Sequence, residues 1–191
     1  MHKLLNTVEL GFVMETVYIL GTARTPIGGL QGAFAAVPAS RLGGVAIAAA
    51  LEVAQVSPEQ VDELLLGCVL PAGQGQAPAR QAGFAAGLGE GLPATTVNKM
   101  CGSGMKTTMM GFDQLALGRD QVVVVGGMES MTQAPYLLPK MRSGSRLGHG
   151  QVQDSMFLDG LEDAYDQGRL MGIFAEDCAA YFQFTREAQD A

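Results

Sequence analysis

Cys101 is the residue of this sequence whose type and setting are best suited to covalent chemistry. It lies in the stretch VNKMCGSGMKT, between a run with β-branched residues and a Gly-Ser-Gly step, and a helical pattern begins immediately behind it. A cysteine reacts as its thiolate, which the N–H groups and the positive dipole end of a helix favour. The same N–H groups can receive an oxyanion, and flanking glycines let a carbonyl group come close. An acyl-thioester on Cys101 is chemically reasonable; a small residue buried in a tight turn is the alternative that the spacing leaves open.

The elements around Cys101 are predicted to alternate between strands and helices. Apolar and β-branched runs predict strands in residues 16–20, 63–70, 94–98 and 121–127. Helical patterns lie between them in residues 40–54, 77–89 and 105–117, and residues 57–60 form a capping box that opens a short turn of helix. This alternation is typical of a parallel sheet with helices on both faces. Cys101 would then lie at the carboxyl end of a strand and the amino end of a helix, where open α/β sheets collect reactive groups.

Finer expectations concern single residues of these elements. Ser40 is predicted to cap the helix in residues 40–54, in which Gly43 and Gly44 each lower the helical propensity by ~1 kcal/mol relative to alanine. The unbroken valines of residues 121–127 predict a strand buried on both sides. Gly102-Ser103-Gly104 is expected to be a turn, and the helix behind it to pack through one face formed by Met105, Met109, Phe112 and Ala116.

Composition excludes several classes of protein. The 191 residues are 48% apolar, enough for one sizeable core, and the net charge of −7 argues against the basic face that nucleic-acid binding needs. No apolar run is long enough to span a membrane, and the N-terminal stretch lacks the pattern of a secretory signal. Three cysteines without Cys-x-x-Cys spacing fit neither a disulfide framework nor a zinc site. We therefore expect a cytoplasmic protein with reduced thiols, bound neither to nucleic acid nor to a membrane, and without a metal.

The sequence pattern changes after Met128. Prolines, a Ser/Gly-rich loop and weak strand signals predict an excursion of loops and helices away from the sheet. Residues 173–184 have a helical pattern, and Thr185 is placed to cap a further helix that begins close to the end of the sequence. A helix that starts there indicates a truncated sequence.

Four motifs, taken together, resemble those of the thiolase family. VNKMCGSGMKT is similar to the family's nucleophile motif, GTARTPIGG to its first-strand motif, GGMESMTQAPYLLP to its post-strand motif, and GLEDAY with LMGIFAED to its loop domain. They occur in the family's order from Met14 onward. The resemblance implies a layered α/β/α fold: an N-terminal half with a mixed, mostly parallel sheet, plus part of the loop domain. It divides the chain into a leader at residues 1–13, an α/β domain at 14–128 and a truncated loop domain at 129–191.

The resemblance also implies a mechanism. Cys101 would take the acyl group of an acyl-CoA as a thioester, and a second acetyl-CoA would condense with it to acetoacetyl-CoA, or the reverse thiolysis would occur. Coenzyme A enters as part of the substrate, and no separate cofactor is expected. Leu161 and Met171 match family positions that contact the CoA moiety. The Cys-Gly-Ser-Gly form favours the short-chain acetoacetyl-CoA class, and the family forms dimers or tetramers.

The resemblance leaves one requirement unmet and one alternative open. The family's base and second proton carrier come from Gly-His-Pro, Cys-x-Gly and Asn-Glu-Ala-Phe motifs in its C-terminal half, and none of these occurs in the present sequence. His149 lies in a Gly-rich loop outside any matching motif, so a solvated position is expected for it. The chain as given is therefore expected to be inactive in condensation and in thiolysis. The alternative is a non-catalytic thiolase-like module that binds CoA or a partner subunit.

Other reactive or charged residues have simpler structural interpretations. Cys68 lies in an apolar strand and is predicted to be part of the core, and Cys178 is expected to pack on a helix rather than to react. Phe174 stands where many thiolases have threonine, which leaves its packing undetermined. A small basic cluster could face the phosphates of CoA or belong to a solvated loop; its members are Lys140, Arg142 and Arg146.

Overall fold

A parallel three-stranded sheet forms the centre of the fold in the computed structural model, which describes residues 16–191. Its strands are β1 (Glu63–Gly67), β2 (Ala94–Val97) and β3 (Val123–Gly127), in the order β2-β1-β3. Both pairings are parallel, and Gly67 is in register with Val97 on one side and with Gly127 on the other. The central strand is completely buried, as its run of leucines predicts, whereas both neighbours are only partly buried.

Within residues 16–191, five α-helices and a small antiparallel pair accompany the sheet. The helices are α1 (Ala39–Ala54), α2 (Pro78–Ala85), α3 (Ser103–Ala116), α4 (Met171–Tyr181) and α5 (Arg186–Asp190), and the pair consists of β4 (Tyr136–Leu137) and β5 (Gln153–Asp154). A π-helical segment covers Phe157–Leu161. The predicted α/β class is confirmed, and the part after Met128 contains the expected loops and helices. Residues 1–13, interpreted as a leader, lie outside the described residues.

Helices α1 and α2 pack on one face of the sheet, and glycines allow them to approach closely. A Cβ atom at Gly44 would lie 2.6 Å from the Cβ atom of Ala85, and one at Gly43 would lie 2.7 Å from the sulfur of Met128. The two glycines that weaken the helical pattern therefore have a packing role, since only residues without a side chain fit between α1 and its neighbours. Leu64 and Leu66 point toward this layer and join its core cluster.

Helix α3 covers the opposite face of the sheet. Leu65 and Gly67 lie on the side of β1 that is turned toward this helix. The predicted packing face of α3 is wrong for three of its four residues, since Met105 is 71% exposed, Met109 56% and Phe112 46%. Ala116 is buried as predicted, and the other buried positions are Ser103, Thr107 and Gly111. The reason is distance, because a Cβ atom at Gly111 would lie 2.6 Å from a methyl group of Val125. Helix α3 lies too close to the sheet for methionine side chains to fit between them.

The predicted strand at residues 16–20 is also wrong. The segment has no sheet partner among residues 16–191, and Tyr18 and Ile19 are 74% and 83% exposed. It lies along α1, where a Cβ atom at Gly21 would meet the backbone of Ala50 at 2.5 Å. An apolar cavity of about 350 Å³ is lined by residues 17–21 on one side and by residues 121–125 on another. Because this cleft separates the two segments, the sheet ends at β3, which is half-buried rather than buried on both sides as predicted.

The predicted helix caps are partly correct. Residues 57–60 form the expected capping box, and the Thr185 hydroxyl accepts a hydrogen bond from the N–H of Ala188. Ser40 is not a cap, because α1 begins one residue earlier with Pro38 as its N-cap. The carbonyl of Pro38 accepts the N–H groups of Arg41 and Leu42, so Ser40 lies within the first helical turn. Likewise, Gly102 caps α3, and Ser103 and Gly104 are helical rather than part of a turn.

Candidate active site

Cys101 lies in the short loop that joins β2 to α3. Strand β2 ends at Val97 and helix α3 begins at Ser103, so the predicted position at a strand-to-helix junction is confirmed. The chain turns sharply at Met100, whose φ of +50° is in the left-handed region. A residue other than glycine adopts this conformation at a cost of ~1–2 kcal/mol. Other contacts must therefore hold the turn, and they surround Cys101.

Hydrogen bonds close this turn on both sides of Met100. The Asn98 side-chain oxygen accepts the N–H of Met100 at 3.0 Å. The Ser103 hydroxyl accepts the N–H of Lys99 at 2.9 Å and donates to the Met100 carbonyl at 2.6 Å. Ser103 is only 5% exposed, so its hydroxyl bonds form away from competing water. The backbone next to the thiol is thus held by two short polar side chains.

The first turn of α3 rests directly on the ends of the central strands. A Cβ atom at Gly67 would lie 2.6 Å from that of Ser103 and 3.1 Å from the Gly104 nitrogen. One turn further along, the buried Thr107 hydroxyl lies 2.8 Å from the Gly126 carbonyl and accepts the Gly126 N–H at 3.2 Å. These contacts determine where the N-terminus of α3 lies relative to the strand ends.

Cys101 itself is exposed, so the alternative of a small residue buried in a tight turn is excluded. The N–H of Lys106 is bonded to the Gly102 carbonyl at 2.8 Å, which leaves the N–H groups of Gly104 and Met105 without a carbonyl partner inside the helix. Such groups can stabilise an anion next to the thiol. The arrangement therefore presents the Cys101 sulfur to solvent two residues before the first residue of α3.

A second cluster, which the sequence analysis missed, joins the ends of β1 and β3. The Glu129 carboxylate accepts the N–H groups of Val69 at 2.7 Å and of Leu70 at 3.1 Å, and lies 3.5 Å from the Cys68 sulfur. Gln74 donates to the Leu70 carbonyl at 2.8 Å. The only sequence signal was a glutamate two residues after a strand, because its partners are backbone groups that no residue pattern reveals.

The other two cysteines differ from each other. Cys68 is 1% exposed, so its predicted place in the core is confirmed. Burial, which is the largest cause, and the negative charge of the neighbouring Glu129 carboxylate together raise the pKa of the Cys68 thiol to about 11. Cys178 was expected to pack, but it is exposed on α4. The prediction failed because α4 is exposed along almost its whole length, without a layer that covers it.

The structure brings the two residues matched to CoA contacts together. Leu161 ends the π-helical segment and Met171 begins α4, and an antiparallel bridge pairs their neighbours Glu162 and Leu170. Leu161 is partly buried and Met171 is 43% exposed. The packing of Phe174, left undetermined by the sequence, includes a cation–π contact, with the Arg169 guanidinium carbon 4.2 Å from the ring centre.

The basic cluster lies in an exposed loop region. Lys140 and Arg146 line an open cavity of about 500 Å³ together with His149, whereas Arg142 is not part of its lining. His149 is exposed, as expected for a loop residue. The lining includes neither Cys101 nor the pair Leu161 and Met171, so the cluster and the thiol are not parts of one pocket in this structure.

Within residues 16–191, no set of three or more His, Cys, Asp or Glu side chains is grouped so that it could hold a metal ion. In the same part of the chain, no helix combines the length and the apolar character needed to cross a membrane.

Comparison with known proteins places this site in a family. The model of the thiolase N-terminal domain matches residues 17–191. The acetyl-CoA acetyltransferase of Candida albicans is 51% identical over 179 residues, which are 93% of this chain and 44% of that protein. The acetyl-CoA acetyltransferase of Cupriavidus necator is 49% identical over 177 residues, 93% of this chain and 45% of that protein. Acetyl-CoA acetyltransferase 2 of Arabidopsis thaliana is 51% identical over 174 residues, 91% of this chain and 43% of that protein.

The chain thus spans less than half the length of these curated relatives. Its parallel sheet with helices on both faces is consistent with the layered α/β fold expected for this domain. The chain belongs to the thiolase family.

Proposed function

We propose that this chain forms the nucleophile-bearing part of an acetyl-CoA C-acetyltransferase and that Cys101 carries the acyl group. The observation that carries the proposal is the exposed Cys101 thiol at the start of α3, in a turn held by Asn98 and Ser103. The names of the relatives support the choice of substrate, since those at about half identity are acetyl-CoA acetyltransferases. Two acetyl-CoA molecules would give acetoacetyl-CoA and free CoA, or the reaction would run in reverse as thiolysis.

The first chemical step is a transfer between two thioesters. The Cys101 thiolate attacks the acyl carbonyl, a bond from carbon to the Cys101 sulfur forms, and the bond from carbon to the CoA sulfur breaks. CoA leaves as a thiolate and takes up a proton. The N–H groups of Gly104 and Met105 are the local donors for the negative charge that develops on the acyl oxygen. The helix end at Cys101 therefore supplies donors that stabilise the intermediate.

The second step needs a base that removes a proton from the methyl group of acetyl-CoA. The resulting carbanion attacks the acyl carbonyl on Cys101, a carbon–carbon bond forms, and the Cys101 thiolate is released. His149 is the one histidine of residues 16–191, and it lies in an exposed loop outside any motif of the family. We assign the base to the C-terminal half of the family's fold, in line with the resemblance. The chain as given is then expected to form the thioester without condensation.

The CoA moiety is proposed to contact Leu161 and Met171. Their juxtaposition next to the bridge between Glu162 and Leu170 offers an apolar surface on two segments of the loop domain. Lys140 and Arg146 provide positive charge for phosphates, although they lie in a separate cavity. A homo-oligomer remains an expectation from the family.

Thiol alkylation tests the assignment of the nucleophile. The folded chain is treated with iodoacetamide at neutral pH, and the rate at each cysteine is followed by mass spectrometry. Cys101 is expected to react faster than Cys178, because both are exposed but only Cys101 lies at the N-terminus of a helix of this length with free N–H groups. The buried Cys68 should not react. Equal rates at Cys101 and Cys178 would contradict the proposal.

Incubation with acetyl-CoA tests the acyl transfer and the alternative. We expect one acetyl group on Cys101, removable by neutral hydroxylamine as a thioester is, and none after Cys101→Ala. Stable acetyl groups on lysines would be unspecific background. Saturable CoA binding without any hydroxylamine-sensitive acetyl group would favour the non-catalytic, CoA-binding module.

A further inference from the structure

We infer that Glu129 is a positioning residue for Cys101 and acts through Asn98. This inference rests on the proposed function of Cys101 as the acyl carrier. It concerns the three strand ends of the sheet, which lie side by side: Glu129 follows β3, Val69 and Leu70 follow β1, and Asn98 follows β2. Hydrogen bonds connect these three ends in one continuous chain that leads to the turn before Cys101.

The first connection joins the ends of β3 and β1. One oxygen of the Glu129 carboxylate accepts the Val69 N–H at 2.7 Å, and the other accepts the Leu70 N–H at 3.1 Å. A carboxylate that receives two backbone N–H groups holds them more strongly than a neutral acceptor would. The Cys68 thiol, 3.5 Å from the same carboxylate, adds a third contact. The segment after β1 is therefore fixed relative to β3 by a single side chain.

The second connection joins the ends of β1 and β2. The Val69 carbonyl accepts a hydrogen bond from the side-chain nitrogen of Asn98 at 3.3 Å. The other side-chain atom of Asn98, its oxygen, accepts the N–H of Met100 at 3.0 Å. Because an amide group is planar, its orientation at Val69 also determines where its oxygen lies. Asn98 thus transmits the position of the segment after β1 to the residue before the nucleophile.

The third connection explains why this position matters for Cys101. Met100 is held in the left-handed region, with φ of +50°, and the next residue is Cys101. If the Met100 N–H loses its acceptor, the turn can relax toward ordinary φ values, and the Cys101 sulfur then shifts relative to the N-terminus of α3. Misplacement of a reacting group by a small distance is enough to slow a reaction markedly. Glu129 and Asn98 therefore increase the reactivity of a thiol that Glu129 does not contact.

Alkylation rates in a double-mutant cycle test this inference on the 191-residue chain. Glu129→Ala and Asn98→Ala should each slow alkylation of Cys101 by roughly threefold or more, while the rate at Cys178 stays the same. The double variant should be no slower than the slower single variant, because both residues act along one path. Glu129→Gln should restore part of the rate, since its amide oxygen can still accept one N–H group.

The other cysteines separate positioning from loss of structure. Cys68 is buried, so its protection from the reagent shows that the fold is intact in each variant. If Glu129→Ala exposes Cys68, the Cys101 rates in Glu129→Gln and Asn98→Ala are used instead to test the inference. Both of these variants keep more of the local contacts. Single variants with unchanged Cys101 rates, or effects that multiply in the double variant, would overturn the inference. A wild-type Cys101 no faster than Cys178 would instead overturn the proposed function.

Discussion

Gly67→Ala is predicted to destabilise the chain and, at the same time, to disturb the turn at Met100 that precedes Cys101. Gly67 is the last residue of β1, where the first turn of α3 rests on the sheet. A Cβ atom there would lie 2.6 Å from the Ser103 Cβ atom, 2.9 Å from the Ser103 carbonyl carbon and 3.1 Å from the Gly104 nitrogen. Two of these atoms belong to the backbone and cannot rotate away, so the helix end must move.

The expected loss of unfolding free energy in Gly67→Ala is the difference between two opposing effects. Forcing an extra carbon into a packed site costs ~1–3 kcal/mol, and the rigid backbone neighbours place this site in the upper part of that range. Replacing glycine by alanine also restricts the unfolded chain, which stabilises the native state by ~0.4–1 kcal/mol. We therefore expect Gly67→Ala to lower the free energy of unfolding by about 1–2 kcal/mol, the difference between these two terms.

Gly127→Ala is the matched control. Gly127 pairs in register with Gly67, but a Cβ atom there would meet its nearest neighbours at 3.6 Å, an ordinary contact distance. It should leave stability unchanged or raise it slightly. Urea unfolding followed by circular dichroism should thus separate the two variants by about 1 M in midpoint, for a slope of ~2 kcal/mol per molar.

The same pair of variants also tests the link to Cys101. Because Gly67→Ala displaces the N-terminus of α3, alkylation of Cys101 should slow in this variant and not in Gly127→Ala. Equal stabilities for the two variants within about 0.5 kcal/mol would refute the packing argument, since the scatter of independent substitutions is of that size. A lower stability of Gly67→Ala without any change at Cys101 would refute only the link between the strand end and the nucleophile.

Two further predictions concern buried polar groups. Thr107→Val should cost ~1–3 kcal/mol of unfolding free energy, because Thr107 is completely buried and its hydroxyl hydrogen-bonds to the backbone of Gly126. Thr108→Val, at an exposed position, should cost less than ~0.5 kcal/mol. Equal losses of the two variants in urea unfolding would contradict this prediction. The raised pKa of the Cys68 thiol, about 11 against an ordinary 9.0, means that the folded state holds this proton more tightly than the unfolded state does. The contribution of the Cys68 proton to the free energy of unfolding should therefore be fully present below pH 9. It should decline by about 2 kcal/mol as the pH rises to about 11. Cys68→Ala should show a smaller decline over that range, and an identical decline in both proteins would show that other groups cause it.

The sequence by itself determined the class of the fold and the place of Cys101, the proposed nucleophile. Both rest on local patterns: the leucines of β1 predict a buried strand wherever it lies, and the change from extended to helical pattern around Cys101 puts the thiol at a junction. The capping box at residues 57–60 and the cap at Thr185 are equally local, and both were confirmed.

Only the tertiary structure decided how closely the layers approach and which residues meet. Met105 and Met109 have the spacing of a core face, yet α3 lies so close to the sheet that Thr107 and Gly111 occupy it instead. Periodicity shows which residues share a face but not the distance to the opposite layer, and that distance sets the size of the side chains that fit. The connection from Glu129 to Met100 joins residues far apart in sequence through backbone groups, which every residue type carries, so only their positions in the folded chain reveal it.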